Sequence, residues 1–328
     1  MPGGILNRSA CLVVSRIAIR CWGGRPRRQR RHGWHSIRTG SETMITGIDH
    51  TLSVAADLEA TAALYRKLGF TLTPRGRHIG WGTANYCIMF ADDYLELLGI
   101  VDASQFVNGL NTQLDSRGPG VSGLAFATDN AAQAHAMLEA HGLADRLADL
   151  SRLVELDSGD TELHFRLAYP KPGSVPALSG FIVEHLSKDI IRQAAWLEHP
   201  NGTVGVEGMT IIHDDPASLE AGYVTFLSAL EQPLDRLHRG EGRLDVPIGA
   251  RQSLRFLTPT RAARRYPGID AALLNRPGPL VITLAVASLD DTAHYLAQAD
   301  IPILSVPGER LVIDPAYTDG TIIEFAAS

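Results

Sequence analysis

Residues 47–70 read GIDHTLSVAADLEATAALYRKLGF, and residues 120–143 read GVSGLAFATDNAAQAHAMLEAHGL. The two stretches align without a gap. Each opens with a strand-like pattern, turns at Asp or Asn, and continues with apolar residues at helical spacing. Each helical stretch then ends at a Gly, a common helix terminator. This internal repeat predicts a strand followed by a helix as the unit of the fold.

Two weaker copies of the unit follow in the second half of the chain, at residues 205–230 and 279–301. A block with strand character comes after each predicted helix, at residues 84–101, 161–186, 251–259 and 309–325. The unit is therefore predicted to be βαβββ, and it occurs four times. One unit cannot cover its own sheet, so units should pair. We expect an α+β fold with two domains, residues 44–200 and 201–328.

Charge is divided unevenly along the 328 residues, which include 30 Lys and Arg against 36 Asp and Glu. Residues 1–43 carry a net charge of about +8, and residues 44–328 carry about −14. Phosphate backbones bind basic surfaces, so the acidic body is not expected to bind nucleic acid. No apolar run approaches the roughly 20 residues of a membrane helix. A small molecule is the expected partner, and the protein a monomer or homodimer.

The basic leader, residues 1–43, has three interpretations. A secretory signal fits poorly, because most of the charges follow the apolar run instead of preceding it. An organellar transit peptide fits the Arg-rich, acid-poor composition. The preferred interpretation is an upstream start codon, with Met44 as the genuine first residue. Since Cys87 is the one cysteine of the body, no internal disulfide is expected there, and a cytoplasmic location is predicted.

The first module opens with His50 in IDHTLSV and closes with Glu96 in YLELLGI. A paired βαβββ module with these residues resembles the vicinal oxygen chelate superfamily, which includes glyoxalases, bleomycin-resistance proteins and extradiol dioxygenases. The GRH and GTxN motifs further resemble a glyoxalase-like subfamily. The resemblance covers residues 44–205 well and 206–328 only by module pattern. It implies two glyoxalase-like domains with cupped sheets, and a divalent metal (Zn, Fe, Ni or Mn) that chelates vicinal oxygens of a substrate.

In that superfamily the metal ligands come from the first and last strands of each module. Carried over, the resemblance implies His50 and Glu96 in the first module. In the second module Gly123 stands at the first-strand position, and Glu184 and His185 lie in the last strand, facing opposite sides of the sheet. We therefore predict His50, Glu96 and His185 as metal ligands, with Glu184 as the catalytic base, a further ligand candidate or a neighbour that supports the ligands.

A glycine-rich segment, TPRGRHIGWGTAN at residues 73–85, follows the first predicted helix. Its Arg77, His78, Thr83 and Asn85 are predicted to bind an anionic or carbonyl substrate by hydrogen bonds, and His78 to orient it in catalysis. The alternative is a turn-rich connection with solvated arginines. HPNG at residues 199–202 is interpreted as a structural turn. The second domain is interpreted as a cover or a dimer-like partner without metal.

The function predicted from these residues is that of a metal-dependent isomerase, lyase or dioxygenase acting on a small oxygenated metabolite. Two alternatives stay open. His50 is interpretable as a hydrogen-bonded core histidine and Glu96 as a solvated edge-strand residue, in which case the fold is a metal-free binding protein of the sequestering type. A purely structural protein would have its cup filled with side chains.

Overall fold

The computed structural model describes residues 43–156 and 158–328. Residues 1–42 of the predicted leader, with its three interpretations, lie outside the described residues. All described residues belong to one compact unit. The domain boundary between residues 200 and 201 therefore stays a prediction.

The first half contains eight strands and five helices in the part of the chain that the structure describes. The strands are β1 (Gly47–Val54), β2 (Gly76–His78), β3 (Thr83–Met89), β4 (Tyr94–Ile100), β5 (Gly120–Ala127), β6 (Ala144–Leu156), β7 (Gly159–Pro170) and β8 (Ser179–His185). The helices are α1 (Leu58–Lys67), α2 (Leu110–Arg117), α3 (Ala131–Ala140), α4 (Lys188–Ile191) and α5 (Ala194–Leu197).

These eight strands close into a barrel in the order β1-β4-β3-β2-β6-β7-β8-β5, and β5 returns to pair with β1. Closure depends on the long strand β6, whose residues Arg152, Leu153 and Val154 pair with β2. The barrel interior is therefore enclosed by strands on all sides, where the sequence predicted a cupped sheet.

The second half contains strands β9 (Thr203–Ile212), β10 (His238–Gly240), β11 (Arg243–Ile248), β12 (Gln252–Leu257), β13 (Gly278–Val286), β14 (Ile303–Leu304), β15 (Arg310–Ile313) and β16 (Ile322–Ala327). Its helices are α6 (Glu220–Ala229), α7 (Pro259–Arg265), α8 (Ala271–Leu274) and α9 (Leu289–Gln298). The strands form one sheet in the order β10-β11-β12-β9-β13-β16-β15-β14. The predicted mixed α+β fold with two sheets is confirmed.

The two sheets share one pairing scheme. Strand β1 runs parallel to β4 and antiparallel to β5, as β9 runs parallel to β12 and antiparallel to β13. Strands β5 and β13 likewise run parallel to β8 and β16. One parallel and one antiparallel neighbour thus flank each of the strands β1, β5, β9 and β13. As in any strand, alternate residues of each lie on the inner face of its sheet.

The helices that cover the sheets begin and end where the sequence predicts. Asp57 caps α1 by accepting hydrogen bonds from the amides of Glu59 and Ala60, and Asn130 caps α3. Gly69 follows α1 with a φ of 86°, a left-handed conformation that favours glycine. A side chain at Gly69 would also meet the ring of Tyr295, so α1 and α9 approach each other at this glycine.

One apolar core joins the two sheets. The ring of Phe70 stacks on Phe325, and Phe126 packs on Phe226, with centroid separations of 6.3 and 5.7 Å. A second cluster, which includes Leu163 and Phe165, fills part of the barrel interior. Burial of such side chains contributes about 1.5–3 kcal/mol each, so the contact between the sheets contributes strongly to stability.

The HPNG turn connects the first half to the second. Nε2 of His199 donates a hydrogen bond to the carbonyl of Met89, and Nδ1 accepts one from the amide of Thr71. Asn201 donates to the carbonyl of Leu68. Burial lowers the pKa of His199, which suits a ring that uses one nitrogen as donor and the other as acceptor. These hydrogen bonds to the backbone agree with the interpretation of HPNG as a structural turn.

Within residues 43–156 and 158–328, no helix is both long enough and apolar enough to span a membrane.

Candidate functional site

Strand β1 carries a bulge at the position of its two neighbouring polar residues. Ile48 pairs with Phe126 of β5, and His50 pairs with the adjacent Ala125, so Asp49 is an extra residue in the pairing. Bulges re-aim side chains that would otherwise alternate between the two faces. Oδ1 of Asp49 consequently lies 2.6 Å from Nδ1 of His50, and both side chains are buried.

Glu96 of β4 lies beside His50 at the inner face of the barrel. Nε2 of His50 is 3.6 Å from Oε2 of Glu96, and these side chains are 5% and 8% exposed. The parallel pairing of β1 with β4 places Tyr94 opposite His50, and the Tyr94 ring stacks on the imidazole with centroids 4.5 Å apart. The structure thus brings together the two residues predicted from the first module.

Both buried carboxylates are held in the charged form. Burial raises the pKa of Glu96, but the neighbouring His50, His78 and Arg152 and the hydrogen bond from Asn85 lower it by more, so the pKa lies below its ordinary value. Burial also opposes the ionisation of Asp49, yet His185 and His50 hold its pKa well below the usual range. The site therefore carries two negative charges in a largely dehydrated barrel.

A cavity of about 140 Å³ opens beside His50 and Glu96. Its polar residues are His50, His78, Thr83, Glu96, Asn108 and Arg152. Its remaining walls are aromatic or aliphatic and come from Leu52, Trp81, Tyr94, Leu98, Leu110, Leu150, Phe165, Leu167, Tyr169, Phe181 and Val183. A polar end and an apolar body are typical of a small-molecule site that orients an amphipathic ligand.

Arg152 of β6 supplies a buried cation to this cavity. The residue is 5% exposed, and its guanidinium lies over the ring of Phe165, 5.7 Å from the centroid. Its hydrogen-bond partner is Sγ of Cys87, at 3.5 Å. Burial raises the pKa of Cys87 to about 12, so this partner is a neutral thiol. In the described chain no carboxylate lies within ion-pair distance of Arg152, which leaves its charge available to a ligand.

His185 lies in the barrel but does not join His50 and Glu96. Its Nε2 donates a hydrogen bond to Oδ1 of Asp49, at 2.9 Å. With Asp49 it lines a different cleft of about 630 Å³, between the barrel and the second sheet. The three residues predicted as metal ligands are therefore not one donor set, because the ring nitrogen of His185 that faces inward is already bound.

Two further predicted site residues point away from the cavity. Oε2 of Glu184 accepts a hydrogen bond from the amide of Ala131, at the start of α3, so Glu184 is on the outer face of the barrel and not placed as a base. Arg77 is exposed and pairs with Asp160 at 2.5 Å and Glu155 at 3.6 Å. It is a surface residue, as in the alternative of solvated arginines.

The other three residues of the glycine-rich segment do reach the site. Nδ1 of His78 is 2.9 Å from Oγ1 of Thr83, and the His78 ring stacks on Trp81. Asn85 donates a hydrogen bond from Nδ2 to Oε1 of Glu96. Burial lowers the pKa of His78, which favours a neutral ring. His78 and Thr83 line the cavity, and Asn85 orients Glu96 from behind.

A fourth ligand was expected at position 123. The presence of glycine there has a steric explanation. A Cβ atom there would lie 2.4 Å from the carbonyl oxygen of Ser179 on the neighbouring strand. Gly208 in the second sheet is confined in the same way by the carbonyl oxygen of Ser253, at 2.1 Å. Close backbone approach therefore excludes a histidine from both positions.

The implied metal does not fit the residues present. His50 and Glu96 offer two donors, whereas catalytic zinc sites generally have three protein ligands. Among residues 43–156 and 158–328, no group of three His, Cys, Asp or Glu side chains is arranged to hold a metal ion.

Sequence reasoning missed Asp49 and Arg152. Strict alternation along β1 would have turned Asp49 outward, and only the bulge brings it inward. For Arg152 a signal was present, because it lies two residues from Leu150 and Val154 in the alternating pattern of β6, and alternate residues share a face.

A protein-family model described as a glyoxalase-like domain matches residues 48–227. No curated protein matches the chain. Residues 48–227 include every predicted site residue, from His50 to His185.

Several solved structures are similar in fold. A hypothetical protein from Staphylococcus aureus has a TM-score of 0.60 at 11% identity, over 86% of this chain and 99% of the other. A mutant of 4-hydroxymandelate synthase from Streptomyces coelicolor has a TM-score of 0.57 at 13% identity, over 86% and 92%. A fusion protein of a xylose isomerase-like TIM barrel with 4-hydroxyphenylpyruvate dioxygenase has a TM-score of 0.51 at 13% identity, over 86% and 48%. At these identities the likeness concerns the fold.

Proposed function

Because the chain belongs to the glyoxalase-like domain family of the vicinal oxygen chelate superfamily, we propose that its barrel cavity is the active site of an enzyme. The reaction is a proton transfer beside a carbonyl group, of the isomerase or lyase class. One observation carries this proposal: buried Asp49 holds Nδ1 of His50, and Nε2 lies at the cavity beside Glu96, at 3.6 Å. An imidazole held in this way is a general base.

The four strand-helix-three-strand segments are, in this proposal, copies of one module. The shared pairing scheme of the two sheets supports this, as do Gly123 and Gly208 at matching positions. The first pair of modules carries the active site.

The substrate is a small carbonyl compound with an apolar body and an oxygenated or anionic head. Leucine and aromatic side chains surround most of the cavity, and burial of apolar surface there favours an aromatic or branched group. Arg152 favours a carboxylate or a developing oxyanion, because a guanidinium donates charge-assisted hydrogen bonds to such oxygens.

The proton transfer uses His50, Arg152 and Glu96. Nε2 of His50 takes a proton from the carbon beside the carbonyl, and the electrons of that C–H bond form a C=C bond as the carbonyl π electrons move to oxygen. Arg152 stabilises the resulting enolate oxygen. The protonated imidazole is stabilised by Asp49 and by Glu96, and it returns its proton to the adjacent carbon or oxygen.

A divalent metal, if bound at this site by other donors, would polarise the same oxygens as a Lewis acid. No step above depends on it. The proposal therefore expects the reaction to continue in the presence of a chelator such as EDTA.

The test is hydrogen exchange at carbon, followed by proton NMR in D₂O. The purified chain is incubated with a panel of 2-oxo acids and hydroxyketones that carry aromatic or branched apolar groups. We expect deuterium to enter beside the carbonyl of at least one compound. The His50→Gln variant should lose this exchange by at least a hundredfold. His164→Gln is the matched control, because His164 is exposed on β7.

Exchange at the wild-type rate in His50→Gln would show that His50 is not the base. The runner-up function, a metal-free binding protein, is supported by the largely apolar cavity walls. It predicts that panel compounds raise the melting temperature of the protein without any exchange at carbon. A panel that neither binds nor exchanges would contradict both functions.

A further inference from the structure

Six arginines surround a small cavity on the second sheet. All of them lie between residues 243 and 310, whereas the barrel cavity is lined by residues 50–183. The cavity has a volume of about 230 Å³, and its lining consists of Leu257 and the arginine cluster, which we define as Arg243, Arg255, Arg261, Arg264, Arg265 and Arg310. Residues 44–328 hold only 21 Lys and Arg and carry a net charge of about −14. More than a quarter of these basic residues thus lie around one cavity of an acidic protein.

The cluster is assembled from four elements of the fold. Arg261, Arg264 and Arg265 lie on α7 at spacings of three and four residues, so they share one face of the helix. The remaining three arginines come from β11, β12 and β15. Like charges at such helical spacing destabilise a helix by a few tenths of a kcal/mol per pair. Four separate elements therefore direct six guanidinium groups at one cavity.

Two buried carboxylates position four of the guanidinium groups. Asp245 accepts hydrogen bonds from Nε of Arg243 at 2.5 Å and from Nε of Arg255 at 3.0 Å. Glu324 of β16, which is 1% exposed, accepts from Arg265 at 2.7 Å and from Arg310 at 3.5 Å. Each carboxylate therefore fixes two guanidinium groups. Arg265 also donates from Nε to the hydroxyl of Tyr266, and Arg310 donates from Nη2 to the carbonyl of Pro307. The N–H groups that have no acceptor in the described residues face a ligand.

Positive charge in the cluster exceeds the negative charge that holds it. Six guanidinium groups are paired with two carboxylates, and the charge of Glu207 also acts on Arg255, which leaves an excess of about three positive charges. Nε of Arg310 is buried and has no hydrogen-bond partner in the described part of the chain. Burial lowers the pKa of Arg310, and the neighbouring positive charge of Arg265 lowers it further. An anion at this position would offset the repulsion between these two guanidinium groups.

We propose that the arginine cluster binds the phosphate group of a small phosphorylated molecule. Guanidinium groups match phosphate oxygens with paired hydrogen bonds, and several fixed guanidiniums are suited to a group with more than one negative charge. A cavity of about 230 Å³ accepts a phosphate or diphosphate, with the rest of the molecule outside. The site shares no residue with the barrel cavity, so this binding is independent of the proposed reaction.

The test is calorimetric titration of the full chain at constant ionic strength. The probes are inorganic phosphate, pyrophosphate, ADP and a single-stranded oligothymidylate. We expect saturable binding of pyrophosphate and a rise in melting temperature. The double variant Arg261→Ala, Arg264→Ala should weaken pyrophosphate binding at least tenfold. Both residues are exposed on α7, so the fold should survive. Arg239→Ala is the matched control, an exposed arginine of β10 that pairs with Glu220.

The probes separate the sources of the phosphate. Tighter binding of ADP than of pyrophosphate supports a phosphate ester as the occupant, and equal or weaker binding supports a free phosphate or diphosphate. Oligothymidylate that binds more tightly than pyrophosphate overturns the proposal in favour of nucleic acid. The proposal is also overturned by the absence of saturable binding, or by an equal loss of binding in Arg239→Ala.

Discussion

His50 and His185 donate hydrogen bonds to the same oxygen atom, Oδ1 of Asp49, at 2.6 and 2.9 Å. Their strands, β1 and β8, are not neighbours in the barrel, because β5 lies between them. One carboxylate therefore ties two imidazole rings together across the barrel interior. It orients His50 towards the 140 Å³ cavity while His185 faces the larger cleft.

Replacement of Asp49 by Asn should damage both stability and activity. The amide carries no negative charge, so two buried imidazole donors lose their charged acceptor. We expect the free energy of unfolding to fall by about 2–4 kcal/mol, and proton exchange at carbon to fall at least a hundredfold because the His50 tautomer is no longer fixed.

Urea denaturation measures the loss of stability in Asp49→Asn. The matched control is Asp92→Asn at an exposed position, which should change the free energy of unfolding by less than about 0.5 kcal/mol. Equal stability of the two variants would mean that Asp49 does not tie the rings together in solution.

Replacement of His185 by Gln separates the proposed base from its neighbour. His185 donates to Asp49 but does not line the barrel cavity, so the variant should lose about 1–2 kcal/mol of stability and keep proton exchange within about tenfold of wild type. The His50→Gln variant should lose much more proton exchange than His185→Gln does. Loss of exchange in His185→Gln as severe as in His50→Gln would instead support a ligand set that His50 and His185 share.

Asp93 should make stability depend on pH. Burial is the main cause that raises its pKa to about 7, partly offset by a hydrogen bond from the amide of Val206. Asp92 and Asp49 raise it further and Arg192 lowers it. The folded pKa lies above the unfolded value, so the folded state binds more protons between about pH 4 and pH 7. The contribution of Asp93 to stability therefore falls as the pH rises through this window, by up to about 4 kcal/mol.

The Asp93→Asn variant isolates this effect, because its side chain does not titrate. We expect the free energy of unfolding of the variant, relative to wild type, to increase between pH 4 and pH 8. The comparison uses the change with pH, since Asn also alters the hydrogen bond with Gln252. A difference that is constant across the pH range would show that Asp93 is ionised throughout.

Gly123→Ala should destabilise the barrel. The new methyl group would lie 2.4 Å from the carbonyl oxygen of Ser179, so β5 and β8 must separate. We expect a loss of about 1–3 kcal/mol, measured by urea denaturation. In Gly240→Ala the nearest atom, on His238, lies 4.0 Å away, so this control should stay within about 0.5 kcal/mol of wild type. Equal effects of the two substitutions would contradict the steric explanation.

The fold was readable from sequence because local signals repeat. The cap at Asp57, the glycine stops at Gly69 and Gly142, and the alternating patterns of strands each depend on a few neighbouring residues. Closure of the barrel was not readable, because it depends on the distant pairing of β2 with β6. Pairings of this kind leave no local pattern in the chain.

The candidate site was readable only in part. Adjacent residues of a strand face opposite sides, and Glu184 and His185 obey this rule, with Glu184 outward and His185 inward. The rule failed at Asp49, since a bulge is set by pairing with β5 and not by local composition. Arg77 and His78 are also neighbours, so they face opposite sides of β2. Which of them faces the cavity depends on how β2 pairs within the barrel.

The contact of Phe70 with Phe325 and of Phe126 with Phe226 has a practical meaning for production of the protein. A chain cut between residues 200 and 201 would expose these rings on both fragments. Each half expressed alone should aggregate, whereas the two halves expressed together should reassemble. Work on the barrel cavity therefore requires both sheets in the same preparation, even though every residue of the proposed proton transfer lies in the first.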